Sequence, residues 1–218
     1  MHFVVTAGPT YESLDEVRRL TNFSTGKFGT QLANFLAARG HQVTLLLGYY
    51  AIHHEPIHTQ ATETYTTTDD LGARLQRLGA AGGVDAVFHA AAVSDFKFGK
   101  IWERTAGGEL IEAKAGKIST RSGTLLAELV PTVKLIANLR QWYPNACLVG
   151  WKYEVDGGRA DVLAKAERQI AECRTNACVA NGKAYGLGFG LVRGARHCEH
   201  IREPQELYAA LEKLAGGR

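Results

Sequence analysis

Apolar runs of strand length recur along this chain with segments of helical period between them, and few folds accommodate that alternation. The runs lie near residues 3–7, 42–47, 62–67, 85–90, 147–152 and 176–180. Between them, Lys27 to Ala38 sets Phe28, Leu32, Phe35 and Leu36 on one face and is stopped by Gly40. Asp69 to Leu78, Val133 to Trp142 before Pro144, and Ala160 to Cys173 read as further helices. A strand that returns to its sheet through a helix runs parallel to its predecessor. The spacing therefore predicts an α/β fold: a doubly wound, mostly parallel, Rossmann-like sheet with helices on both faces. Ligands of such sheets bind outside the carboxyl ends of the strands. A length of 218 residues, 45% of them hydrophobic, suits a single domain with a full core.

Two stretches leave this rhythm. Within residues 107–130, Gly107-Gly108, Gly116 and Gly123 interrupt the extended runs Glu109–Glu112 and Thr124–Val130, which predicts an antiparallel flap inserted in the domain. Gly186–Val192 and Ala195–Ile201 read as a hairpin around Arg193-Gly194, followed by a terminal helix from Glu203 to Leu214.

The stretch with most chemistry opens the chain. Thr6-Ala7-Gly8-Pro9-Thr10 leaves the first strand, and Thr21-Asn22-Phe23-Ser24-Thr25-Gly26-Lys27-Phe28-Gly29 enters the first helix. Glycine and hydroxyl residues there let backbone N–H groups converge at the positive end of a helix dipole, which suits an anion such as phosphate. The dinucleotide fingerprint GxGxxG is absent, because Pro9-Thr10 follow Gly8 and the helix opens only at Gly26. The second strand ends in Leu47-Gly48-Tyr49-Tyr50, without the acid expected to hold a ribose. Lys27 is followed by Phe28, so Gly26-Lys27 is no P-loop either.

Lysine and arginine (25) exceed aspartate and glutamate (22) by 3, scattered along the chain, which argues against a nucleic-acid partner. Neither a leader nor an apolar run of about 20 residues is visible, so the expectation is a cytoplasmic protein without a membrane partner. Cys147, Cys173, Cys178 and Cys198 form no CxxC pair and read as free thiols of a reducing compartment. His53-His54 with His58, and His197-Cys198 with His200, lack the setting of a zinc site; alternation along a strand sends His197 and His200 to opposite faces.

With these residues in place, the chain resembles the phosphopantothenoylcysteine synthetase (phosphopantothenate–cysteine ligase) family. The resemblance runs from residue 3 to 192. It is carried by Thr6-Ala7-Gly8-Pro9-Thr10, Asn22-Phe23-Ser24-Thr25-Gly26-Lys27, Ala90-Ala91-Ala92-Val93-Ser94-Asp95-Phe96, Lys117-Ile118, Leu129-Val130, Val149-Gly150-Trp151 and Val179-Ala180-Asn181. It implies a free-standing synthetase without the flavin-dependent decarboxylase half, and so no flavin. The implied reaction belongs to coenzyme A biosynthesis. The carboxylate of 4′-phosphopantothenate attacks the α-phosphate of CTP or ATP, pyrophosphate leaves, and the amine of L-cysteine displaces the nucleoside monophosphate. Mg2+ would be carried by the nucleotide phosphates, with no protein metal cage.

The resemblance also implies residue roles. Asn22 and Lys117 are the catalytic candidates. Gly8, Gly26, Lys27, His89, Ala90, Ala91, Asp95, Lys117, Trp151 and Lys165 are the nucleotide-binding candidates, with the indole of Trp151 beside the base. Asn22, Ala92 and Asn181 are the substrate-binding candidates. Lys117 is followed by Ile118-Ser119-Thr120-Arg121 where the fused enzymes carry more lysines. Apolar residues on the flap, together with the family's habit, imply a homodimer. An NAD(P)-linked reductase and a non-catalytic nucleotide-binding homologue stand as the alternatives.

Overall fold

A computed structural model describes residues 1–113, 124–195 and 197–217. In chain order the elements are β1 (His2–Ala7), β2 (Tyr11–Ser13), β3 (Arg19–Thr21), α1 (Lys27–Ala38), β4 (Gln42–Gly48), β5 (Ala61–Tyr65), α2 (Thr68–Ala81) and β6 (Ala86–His89). They continue with β7 (Phe96–Arg104), β8 (Leu110–Glu112), β9 (Thr124–Pro131), α3 (Leu135–Trp142), β10 (Cys147–Tyr153), α4 (Arg159–Cys173), β11 (Ala177–Asn181), β12 (Phe189–Val192), β13 (Cys198–Ile201) and α5 (Pro204–Gly216).

Eight strands form the central sheet in the order β13-β12-β11-β10-β6-β1-β4-β5. Strands β5, β4, β1, β6, β10 and β11 run parallel, while β12 and β13 add an antiparallel edge. The chain winds outward from β1 through β4 to β5, then crosses to β6 on the other side of β1. That reversal opens a crevice at the carboxyl ends of β1 and β6.

Alternating side chains build a core on each face of the sheet. Val5, Phe88 and Val149 pack with α1 and α5 through Leu32, Leu36, Leu207 and Leu211. On the other face Val4, Val87 and Leu148 meet Leu71 and Leu75 of α2 and Leu135 and Leu139 of α3. Val162 and Ala166 of α4 extend that layer over Cys178 and Ala180 of β11. Helix α2 begins at Thr67, whose hydroxyl accepts from the Asp70 N–H at 3.2 Å, with Asp69 and Asp70 favouring the positive end of the dipole. Cys147, Cys173 and Cys178 are buried and Cys198 is exposed, all as free thiols. Among the described residues, no helix is long and apolar enough to cross a membrane.

Two elements escape the sequence pattern. Residues 11–13 and 19–21 form a two-stranded hairpin between β1 and α1. The flap is larger than its predicted two runs: β7 lies between β8 and β9 in a three-stranded antiparallel sheet. The sequence Phe-Lys-Phe-Gly-Lys-Ile-Trp-Glu-Arg of β7 alternates, but Gly99 and a register shift between Phe98 and Ile101 disguise the strand. Part of the flap, including Lys117, lies outside the described residues.

Candidate active site

Three glycines from two separate stretches of the sequence, Gly8 and the pair Gly26 and Gly29, meet where β1 ends and α1 begins. Gly8 and Gly26 adopt φ values of +82° and +79°, a region that side-chain-bearing residues enter at a cost. A Cβ on Gly26 would stand 3.4 Å from the Gly8 Cα, and one on Gly29 would stand 2.6 Å from the Ala7 Cβ. Gly8 thus makes the tight turn, Gly26 brings the backbone to the helix entrance, and Gly29 lets α1 press onto β1. The dinucleotide fingerprint assigns the same three tasks to glycines a few residues apart; here the β2–β3 hairpin is spliced between the first and second. The Lys27 N–H donates to Thr25 Oγ1 at 3.2 Å, no acidic residue stands in the first turn, and Gly26 contributes no side-chain cap. The entrance of α1 therefore leaves backbone N–H groups without side-chain caps at the positive end of the helix dipole, an arrangement suited to an anion.

Hydrogen bonds tie this turn to the end of β6. The buried Tyr65 hydroxyl reaches the carbonyl oxygens of Ala7 and Gly8, each at 2.8 Å. The Ala92 backbone accepts from the Thr10 N–H at 3.1 Å and donates its own N–H to Gly8 O at 2.9 Å. Thr10 Oγ1 accepts from the Ser94 N–H at 2.8 Å and donates to Ser94 Oγ at 3.1 Å. Asn22, although exposed, donates through Nδ2 to Ala92 O at 3.1 Å, which brings the two central motifs together across the crevice.

His89 is nearly buried and stays neutral, because burial depresses its pKa from 6.5 to about 4. Thr6 Oγ1 accepts from the Ala91 N–H at 3.1 Å and lies 3.0 Å from His89 Nδ1. With the hydroxyl proton given to Nδ1, the imidazole carries its own proton on Nε2.

A cleft of about 550 Å³ opens beside His89 between the ends of β6 and β10 and helices α3 and α4. His89, Ala91, Asp95, Trp151 and Lys165, all expected site residues, line it. Gly8, Gly26 and Lys27 belong to the turn at α1 instead. Lys165 Nζ is paired with Glu154 at 2.6 Å, and Lys152 stands 3.8 Å from the same carboxylate. The indole of Trp151 is half-buried, tilted against Phe28 with ring centroids 5.3 Å apart. Asn181 ends β11 with a buried Oδ1 that has no hydrogen-bond partner. The sequence reading missed Thr6, Tyr65, Lys134, Arg168 and Gln169. Gly150 is a readable hint for the last: a Cβ there would stand 2.1 Å from Gln169 Nε2, so the amide occupies the space that the glycine vacates.

Against known proteins, residues 1–197 match the family model of the DNA/pantothenate metabolism flavoprotein C-terminal domain. The coenzyme A biosynthesis bifunctional protein CoaBC of Thermococcus kodakarensis is 31% identical over 185 residues, which cover 84% of this chain and 42% of that protein. The chain therefore spans less than half the length of this curated relative. Among solved structures, the DNA/pantothenate metabolism flavoprotein from Streptococcus pneumoniae is similar with a TM-score of 0.84 at 23% identity, over 100% of both chains. A Cab2 mutant in complex with phosphopantothenate-cysteine has a TM-score of 0.74 at 18% identity, over 99% of this chain and 88% of the other. The structural likenesses establish the common fold, and the sequence match running through both halves of the crevice establishes the kinship: the chain belongs to the DNA/pantothenate metabolism flavoprotein C-terminal domain family.

Proposed function

We propose that this chain is a phosphopantothenate–cysteine ligase of coenzyme A biosynthesis, joining 4′-phosphopantothenate to L-cysteine through an acyl nucleotide formed from CTP or ATP. One observation carries the reading: Asn22, shortly ahead of the uncapped N-terminus of α1, donates its amide N–H to the carbonyl of Ala92 just beyond β6, which ties the first motif to the third. Backbone donors at α1 would take triphosphate oxygens. The second N–H of the Asn22 amide remains to polarise the acyl carbonyl or an α-phosphate oxygen without titrating. Asp95 and Trp151 border the nucleotide, and Asn181 borders the substrate. Kinship with a bifunctional protein of coenzyme A biosynthesis, and the phosphopantothenate-cysteine held by the Cab2 structure of like fold, support the substrate class.

Magnesium fits this site only as a partner of the triphosphate. Among the described residues, no three His, Cys, Asp or Glu side chains group to hold an ion. The exposed carboxylate of Asp95 is the residue to share one otherwise held by phosphate and water, where the ion would offset phosphate charge.

The same proposal includes a homodimer. Phe96, Leu110, Ile111 and Leu129 of the flap sheet are about half exposed, and Phe23 beside the site is fully exposed. Apolar strands left open in this way need a partner. Lys117, on the flap, would act near a nucleotide site.

The deciding experiment measures pyrophosphate release from 4′-phosphopantothenate and L-cysteine, with CTP and ATP in parallel. Amide product with one nucleotide upholds the reading. Binding of either nucleotide without pyrophosphate would identify a non-catalytic homologue.

A further inference from the structure

Strands β4 and β5 are parallel neighbours, yet the chain passes between them without a helix. Parallel strands are usually joined through one. Here residues 49–60 form an irregular strap laid along α1 instead. The strap begins by turning back: the Ala51 N–H donates to the Gly48 carbonyl at 2.9 Å. This return carries Ala51 onto the two glycines of the anion turn. A Cβ on Gly8 or on Gly26 would stand 2.9 Å from the Ala51 Cβ, so one methyl group fills the space that both glycines leave. Two residues farther on, the His53 N–H donates to the Thr25 carbonyl at 3.1 Å. The strap thus touches both halves of the turn, Gly8 from β1 and Thr25-Gly26 from the entrance of α1.

Its far half is fastened to α1 by side chains. Asn34 uses both ends of its amide: Nδ2 donates to the Pro56 carbonyl at 2.8 Å and Oδ1 accepts from the His58 N–H at 2.9 Å. Three residues earlier on the same helix face, Gln31 Nε2 donates to Glu55 Oε1 at 2.8 Å, and Glu55 Oε2 stands 3.2 Å from His53 Nε2. Asparagine is a poor residue for the middle of a helix. The amide at position 34 therefore serves the strap and not the helix.

We propose that the 49–60 strap positions the anion turn, with Ala51 as the positioning residue that sets the gap between Gly8 and Gly26, and Asn34 as the latch that holds the strap on α1. The inference rests on the ligase reading, which brings triphosphate oxygens to that turn. Backbone N–H groups hold an anion by converging on it, so a shift of either glycine weakens several donor bonds at once. Contacts made to the triphosphate alike before and during the reaction govern KM and leave kcat unchanged.

Asn34→Ala and Ala51→Leu carry the test, in pyrophosphate release from 4′-phosphopantothenate and L-cysteine with the active nucleotide. Both bonds of Asn34 lie at the surface and its replacement favours the helix, so Asn34→Ala should melt close to wild type. Its nucleotide KM should rise about threefold or more, and that of Ala51→Leu about tenfold or more, with kcat and the KM for L-cysteine within about twofold of wild type. An unchanged nucleotide KM in either variant overturns the inference, and Asn34→Ala decides alone if Ala51→Leu fails to fold. A fall in kcat at unchanged nucleotide KM overturns it as well. If wild type releases no pyrophosphate with either nucleotide, the ligase reading fails, and calorimetric titration with CTP, ATP and inorganic pyrophosphate judges the strap alone. Binding to wild type that Asn34→Ala weakens upholds the strap's role; equal binding by the two proteins, or none to wild type, removes it.

Discussion

Asn22 holds its place by one side-chain hydrogen bond, to the Ala92 carbonyl, while exposed to solvent. Little folding energy depends on such a contact, so Asn22→Ala should melt close to wild type. Turnover should fall at least roughly tenfold, about 1.4 kcal/mol of transition-state stabilisation. Wild-type turnover would reduce Asn22 to a latch between two loops. His89 makes the opposite kind of prediction, about stability rather than rate. Its folded pKa of about 4 lies below the 6.5 of the unfolded chain. Between those values the unfolded state binds a proton that the native state refuses, so stability rises with pH across that window. The contribution is fully present above pH 6.5, lost as pH falls through about 4, and on the order of 3 kcal/mol. Denaturant unfolding at pH 4.5 and 7 should therefore show a smaller pH difference for His89→Gln than for wild type. Equal differences would refute the buried neutral imidazole.

Among the elements, the joint between β1 and α1 is the most constrained. Gly29→Ala sets a methyl group 2.6 Å from the Ala7 Cβ and must push α1 away from β1. Overpacking of this kind costs about 1–3 kcal/mol. Because the helix entrance moves with it, nucleotide KM should rise along with the fall in melting temperature; a raised melting temperature would show that the joint has slack. Tyr65→Phe tests the same turn from β5. It deprives the Ala7 and Gly8 carbonyls of their hydroxyl donor, and the loss should be about 1–3 kcal/mol in equilibrium unfolding. The sequence disclosed the glycines of this joint but not its geometry. Gly8 and Gly26 read as separate features because 17 residues intervene, and only the folded hairpin β2–β3 brings them together. Tyr65 left no signal at all. A buried tyrosine at a strand end looks like any core aromatic until its hydroxyl partner is known.

At the scale of the whole molecule, the described part of the flap sheet is a surface that the fold leaves uncovered. A homodimer closed through it predicts about twice the chain mass by light scattering at micromolar concentration. Leu129→Glu, at a position half exposed on β9, should lower both dimer fraction and activity while the chain stays folded. A fully active monomer would remove the dimer and with it any action of Lys117 across an interface. The alternation of strand and helix, the order of the motifs and the glycine- and hydroxyl-rich character of the first turn were determined by the sequence alone. They are encoded locally, in period, in glycine placement and in short runs of residues, so they survive without a third dimension. What only the tertiary structure decided is which residues share the crevice. His89, Gly150 and Gln169 come from three elements, and their meeting depends on strand register and on the seating of α4 over β10. Register follows from the packing of the two cores as a whole, and no short stretch of sequence specifies it.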